Sequence, residues 1–206
     1  TNILAGGKGN DAYYVGSNDL VTELVGEGSD TVYCYGSYTL QAGSSVETLR
    51  LDITSAATLT GNNLDNSLRG NSGSDVLSGM AGNDTLNGGL GNDTLQGGSG
   101  NDVFRFDSLP HSTTNHDTIS DFTVVDDTIQ FENSIFTSLT ATGTLAAGLF
   151  VSGPGATAAD SNDFVIYDST SGALYYDADG NGSAIAVEVA LLGVGLGLTS
   201  ADIFVT

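Results

Sequence analysis

Aspartate returns every nine residues across 70–105, as Asp75, Asp84, Asp93 and Asp102, in the units GNSGSDVLS, GMAGNDTLN, GGLGNDTLQ and GGSGNDVFR. Glycine stands first in each unit, aspartate sixth, and a lone apolar residue eighth: Leu77, Leu86, Leu95 or Phe104. Glycine reaches the positive φ that a tight turn needs, and such a turn brings carbonyl oxygens to its inner side. Stacked turns of this kind set carbonyls and carboxylates against one another with like charges unrelieved. That arrangement suits a hard cation taking about six to eight oxygen ligands at flexible geometry, which is calcium. Magnesium demands a tight octahedron and keeps its water. Gly-Asn-Asp is also good turn chemistry by itself, but turns alone do not require aspartate at the same slot each time.

Composition agrees with this chemistry. The chain has 206 residues, enough for one or two domains with a core of useful size. Acids number 25 against 4 Lys and Arg, a net charge of -21, and 20 of the acids are Asp. A merely acidic surface would use Glu as freely. Aspartate beside 29 glycines favours turns and oxygen ligands, a solvated acidic face being the alternative. Phosphate would be repelled, which argues against nucleic acid and anionic membranes as partners. The lone Cys34 excludes an internal disulfide and a cysteine metal site. The apolar stretch 184–198 is too short to span a bilayer and contains Glu188, so no membrane insertion is expected. No signal peptide is visible and the chain starts at Thr1, so a piece of a longer protein is expected.

The elements that position these aspartates follow from the period. One apolar residue per nine, in a run of about three extended residues, points inward as alternation requires. Six residues of turn follow, and two units make one coil with a strand on each side.

The repeat resembles GGxGxDxUx, the nonapeptide of the RTX calcium-binding proteins. The resemblance implies a right-handed parallel β-roll with several Ca2+ ions, each held between turns of one edge, eighteen residues apart. Asp75 then pairs with Asp93, and Asp84 with Asp102 on the opposite edge. The implied metal positions are Gly70, Ser72 and Asp75; Gly79, Ala81 and Asp84; Gly88, Leu90 and Asp93; Gly97, Ser99 and Asp102. Nine residues back, Asn66 takes the aspartate slot and Leu68 the apolar one; a further nine back stand Ala57 and Leu59. The solenoid continues while its ligands fade, so a site between Asn66 and Asp84 is expected to be weaker or empty. The motif returns as GGKGNDAYY, with Gly6 and Asp11, and as VGEGSDTVY, with Gly26 and Asp30 nineteen residues after Asp11, which suggests a further ion.

After Phe106 the period stops. HDTISDFTVVDDTIQF resembles the segment closing the roll in serralysin-type C-terminal domains, placing Asp117, Asp121 and Asp127 at strand ends, either capping the last ion column or solvated. The later stretches TLAAGLFVSG, FVIYDSTSGALYYDADGNG and LTSADIFVT resemble the C-terminal part of type I secreted bacterial proteins, implying a small antiparallel β-sandwich and a secretion signal. The expected fold is all-β: a roll over 1–106, with irregular rungs over 34–69, and a sandwich cap with the signal over 107–206. Two short rolls joined by an antiparallel segment are the alternative for the first half.

Asp177, Asp179, Asn181 and Glu188 satisfy an EF-hand loop pattern, but the flanks GALYY and AIAVEVALL read as strands, so a hairpin tip is expected there. A looser ion site at that tip stays open. His111 and His116 have no zinc spacing, Cys34 reads as a small core residue, and the strand tyrosines are either half-buried packing or a carbohydrate-stacking row. There is no HExxH, GxSxG or P-loop. The expected function is a non-catalytic module at the C-terminal end of a larger secreted bacterial protein. It folds on calcium outside the cell, after passing the type I secretion machinery. The alternatives are a module that binds extracellular polysaccharide or a cell surface, and the C-terminal domain of a secreted protease or lipase.

Overall fold

The strands are short because each unit offers one residue that must be buried. In Thr85–Asn87 that residue is Leu86, in Thr94–Ser99 Leu95 and in Val103–Phe106 Phe104, each with no exposed surface. A computed structural model describes residues 1–206. Its strands form two nine-stranded sheets that face each other, and a short pair, Ile3–Leu4 with Leu20–Val21, at the N-terminal end.

The first sheet stacks Ala12–Val15, Thr31–Cys34, Thr48–Leu51, Ser67–Arg69, Thr85–Asn87, Val103–Phe106, Thr128–Phe131 and Ile203–Val205 in parallel, with Gly143–Thr144 antiparallel at its edge. The second runs Tyr38–Thr39, Thr58–Thr60, Val76–Ala81, Thr94–Ser99, Asp117–Ile119 and Val187–Leu191 in parallel, then adds Ala173–Tyr176, Val165–Asp168 and Phe150–Gly153. Within the regular repeats the register is eighteen residues: Thr85 faces Ser67 and Val103, and Val76 faces Thr58 and Thr94. The chain therefore alternates between sheets with each nonapeptide, and every coil lays its apolar residue on that of the coil before. One row of the core reads Tyr13, Val32, Leu49, Leu68, Leu86, Phe104, Ile129 and Ile203; the other reads Leu59, Leu77, Leu95 and Ile119.

The all-β parallel roll with an antiparallel C-terminal part is as expected, and two features refine it. The strands Val76–Ala81 and Thr94–Ser99 are twice as long as the extended run of about three residues, because Gly98 and Ser99 pair with Met80 and Ala81 across stacked turns. The turns thus belong partly to the ladder. The antiparallel strands, in turn, are extensions of the two sheets of the roll. Val165–Asp168 and Ala173–Tyr176 join the second sheet through Val187–Leu191, and the two sheets run on unbroken past Phe106. Phe136 ties this region together, packing against Phe131 and, edge-on, against Tyr176.

Candidate metal centres

Every aspartate slot immediately precedes a strand or opens one, so the slots stack as the strands do. On the edge leading into the first sheet stand Asp11, Asp30, Glu47, Asn66, Asp84, Asp102 and Asp127; on the other edge stand Ala57, Asp75, Asp93 and Asp117. Hydrogen bonds tie each column together. The Asp75 N–H donates to Asp93 Oδ1 at 2.7 Å, and Asp84 N–H to Asp102 Oδ1 at 2.8 Å. The same bond joins Asp11 to Asp30 at 2.8 Å, Asp93 to Asp117 at 3.0 Å and Asp102 to Asp127 at 3.0 Å. Partners lie eighteen residues apart inside the repeats, nineteen at the start, and 24 and 25 where longer connections enter the coil.

The second carboxylate oxygen is the informative one. Asp75, Asp84, Asp93 and Asp102 are each at most 2% exposed. Oδ2 of Asp11, Asp30, Asp84, Asp93 and Asp102 is buried without any hydrogen-bond partner. A buried, unpaired carboxylate oxygen is costly and calls for a cation or a proton. Four of these oxygens lie over the first glycine of their own turn: a Cβ on Gly6, Gly79, Gly88 or Gly97 would overlap the carboxylate of Asp11, Asp84, Asp93 or Asp102. Asp30 has no such glycine, since Val25 holds the first slot of its turn and a Cβ on Gly26 would meet nothing. The carbonyl of Gly88 points at Gly70 and that of Gly97 at Gly79, one coil away. At Gly70 and Gly79 oxygens from two coils converge on the bare Cα, so no side chain fits there.

Burial also governs ionisation. With no cation in place, burial pushes Asp84 up to about 7, and the nearby Asp102 charge adds to the rise. Asp93 is raised to about 6 by burial and by Asp75, and Asp117 to about 8 by burial and by Asp93. Asp102 and Asp127 are raised for the same reason, burial first. These carboxyls resist charge until something positive arrives. No three His, Cys, Asp or Glu side chains converge on one point. That is the expected geometry of a site that draws one carboxylate per turn and completes its shell with backbone carbonyls. The donor set therefore fits calcium.

The family of RTX calcium-binding nonapeptide repeats, in four copies, matches residues 60–95 and 80–108. Residues 60–108 are RTX calcium-binding repeats. No curated protein matches the chain. The RTX repeat is a calcium-binding structural module, and a run of such repeats binds several Ca2+ ions.

The flanks of the RTX run show how the columns continue. Asn66 is buried, and its amide donates to the Val46 carbonyl at 2.9 Å, so an N–H joins the coils where the repeats place a carboxylate. Asp121 accepts from the N–H groups of Gly97 and Gly98 at 3.0 and 2.9 Å, joining the first turn of the last repeat to the segment beyond it. Ser99 gives its carbonyl to Gly82 N–H at 3.0 Å. Two acids escaped the sequence reading. Glu47 fills an aspartate slot and accepts from Asp30 N–H at 2.8 Å; Glu23 accepts from Gly6 N–H at 2.6 Å. Both lie seventeen residues from their donors, one short of a coil, and the offset was the available signal.

At the other end, the segment from Asp177 to Ala186 links the antiparallel strands Ala173–Tyr176 and Val187–Leu191 without a helix, so it is a hairpin loop and no EF-hand. Glu188 faces His116, 3.6 Å away. Cys34 is buried and free, its thiol pushed up to about 12 by burial. No helix is long and apolar enough to cross a membrane.

Proposed function

We propose that this chain is a non-catalytic export module that folds on calcium after type I secretion, as the C-terminal part of a larger secreted bacterial protein. The observation that carries the reading is the set of buried, partnerless Oδ2 atoms, those of Asp11, Asp84, Asp93 and Asp102 each standing over a bare glycine. Asp75, Asp84, Asp93 and Asp102 supply carboxylates, and the carbonyls of Gly70, Ser72, Gly79, Ala81, Gly88, Leu90, Gly97 and Ser99 complete the shells. Gly6 with Asp11, and Gly26 with Asp30, form the site of the first coils. Asp117 and Asp121 close the columns where residues 107–206 cap the roll.

Calcium supplies positive charge and takes oxygen ligands; the chain's residues do the rest. Where free calcium is scarce, a net charge of -21 and the entropy of 29 glycines hold the chain open and competent for export. Outside, where calcium approaches about millimolar, the ligand energy becomes folding energy. The test is far-UV circular dichroism of the purified chain in chelator and in calcium. β-Structure gained on adding calcium is the expected result, and a spectrum indifferent to chelator removes the mechanism.

A second reading, a module that binds extracellular polysaccharide, rests on one patch. On the outer face of the first sheet the rings of Tyr14 and Tyr33 stack 5.0 Å apart, Tyr35 lies 6.3 Å from Tyr14, and Arg50 and Arg69 follow in the same row. Retention of the chain on an immobilised polysaccharide, lost in Tyr33→Ala, would favour it.

A further inference from the structure

The first coil carries a glutamate where the turns at Gly61 and Gly70 have a backbone carbonyl. At Gly61 and Gly70 the N–H of the first glycine donates to a backbone carbonyl seventeen residues on, that of Ser78 and of Asn87, each at 2.8 Å, whereas at the last repeat Gly97 donates to Asp121 Oδ1 at 3.0 Å. Gly6 donates to a side chain in the corresponding place, Glu23 Oε1, at 2.6 Å. Glu23 is 2% exposed, and its other oxygen, Oε2, is buried with no partner. Its backbone is pinned on both sides, the N–H to Ser44 Oγ at 3.2 Å and the carbonyl accepting from Ser45 N–H at 3.0 Å. The Tyr13 hydroxyl donates to Oε1. That hydroxyl and Asp11 Oδ2, itself buried and unpartnered, both lie over the Gly6 Cα.

Two carboxylates thus converge on one glycine, each with a bare oxygen, and no basic side chain answers them. The chain's ion pairs are Arg69–Asp107, Arg105–Glu132 and His116–Glu188, all elsewhere. We infer that Asp11 and Glu23 together hold a calcium-class cation at the first coil, a site outside the matched repeats in which a glutamate stands where a repeat turn has a carbonyl. Tyr13 is its positioning residue, fixing the Glu23 carboxylate by a hydrogen bond from the inner face of the roll. The inference rests on the calcium reading of the repeats and adds a ligand that their pattern does not contain.

Terbium(III) tests it, because the chain has no tryptophan and tyrosine is the only efficient sensitiser of its emission. The whole chain, titrated with Tb3+ under excitation of its tyrosines, gives sensitised emission that Ca2+ displaces. Tyr13→Phe loses most of that emission while its calcium-dependent circular dichroism persists. Glu23→Gln loses one bound ion per chain in calcium titration calorimetry. Emission unchanged in Tyr13→Phe overturns the inference, as does an unchanged ion count in Glu23→Gln. If Glu23→Gln does not fold in calcium, Tyr13→Phe decides the matter through emission. Failure of the calcium reading looks different: the wild-type chain then takes up neither ion.

Discussion

Met80 is the one residue other than glycine with positive φ, at 85°. It occupies the second slot of its nonapeptide, where the next two units place Gly89 and Gly98 at φ of 96° and 104°. A side chain there costs about 1–2 kcal/mol against the following carbonyl oxygen. Met80→Gly is expected to stabilise the calcium-loaded protein by about 1 kcal/mol, less what glycine gives back as unfolded-chain entropy. Chemical denaturation at saturating calcium measures it, and a destabilised glycine variant contradicts the strain. The raised carboxyls set a second expectation at this scale. Asp84, Asp93 and Asp117 titrate in the ion-free fold at about 7, 6 and 8, against an ordinary 3.8. A carboxyl whose folded value is raised stabilises the fold fully below its unfolded value, and that stability is lost as pH rises through the folded value. In chelator, then, the chain gains β-structure as pH falls from 8 towards 4. Equal circular dichroism at both ends of a chelated titration counts against these acids being buried in the fold.

Coils, as elements, are coupled through their edges. Asp84 and Asp102 share a hydrogen bond and an edge, whereas Asp84 and Asp93 lie nine residues apart on opposite edges. In a double-mutant cycle on the calcium midpoint, Asp84→Ala with Asp102→Ala should be strongly non-additive, and Asp84→Ala with Asp93→Ala closer to additive. Stronger coupling of the nine-apart pair would require another architecture. The interior rows give a simpler expectation. Leu86→Ala opens a void between Leu68 and Phe104 and should cost about 2–5 kcal/mol in calcium. Both the period and these pairings were readable from residues, because Asp75 to Asp102 hold one slot and Leu77 to Phe104 another. Glu23 and Glu47 were hidden, since a longer side chain reaches the same point from an offset of seventeen. The closing strands were hidden for a different reason. Ile129 faces Ile203, 74 residues away, and no local periodicity encodes a partner at that distance.

Across the whole molecule, charge and shape act together. Twenty-five acids face four basic side chains, and the largest group of buried ones lies along the two turn edges. Magnesium at the same concentration as calcium should stabilise the fold far less in a thermal melt, because these turns offer many carbonyls at flexible geometry. Equal stabilisation by both ions would mean that the turns are not calcium cages. The edge ladder has one more property, which is direction. Ala57, Asp75 and Asp93 each donate their N–H to an acid nearer the C-terminus, and so do Asn66, Asp84 and Asp102 on the facing edge. A finished coil therefore displays acceptors towards its N-terminal neighbour and donors towards its C-terminal one. The roll is a polar filament in miniature, with two unlike growing ends. A chain threaded through a pore with its C-terminus leading would always offer the newcomer a set of waiting carboxylates, like a zipper whose slider moves one way.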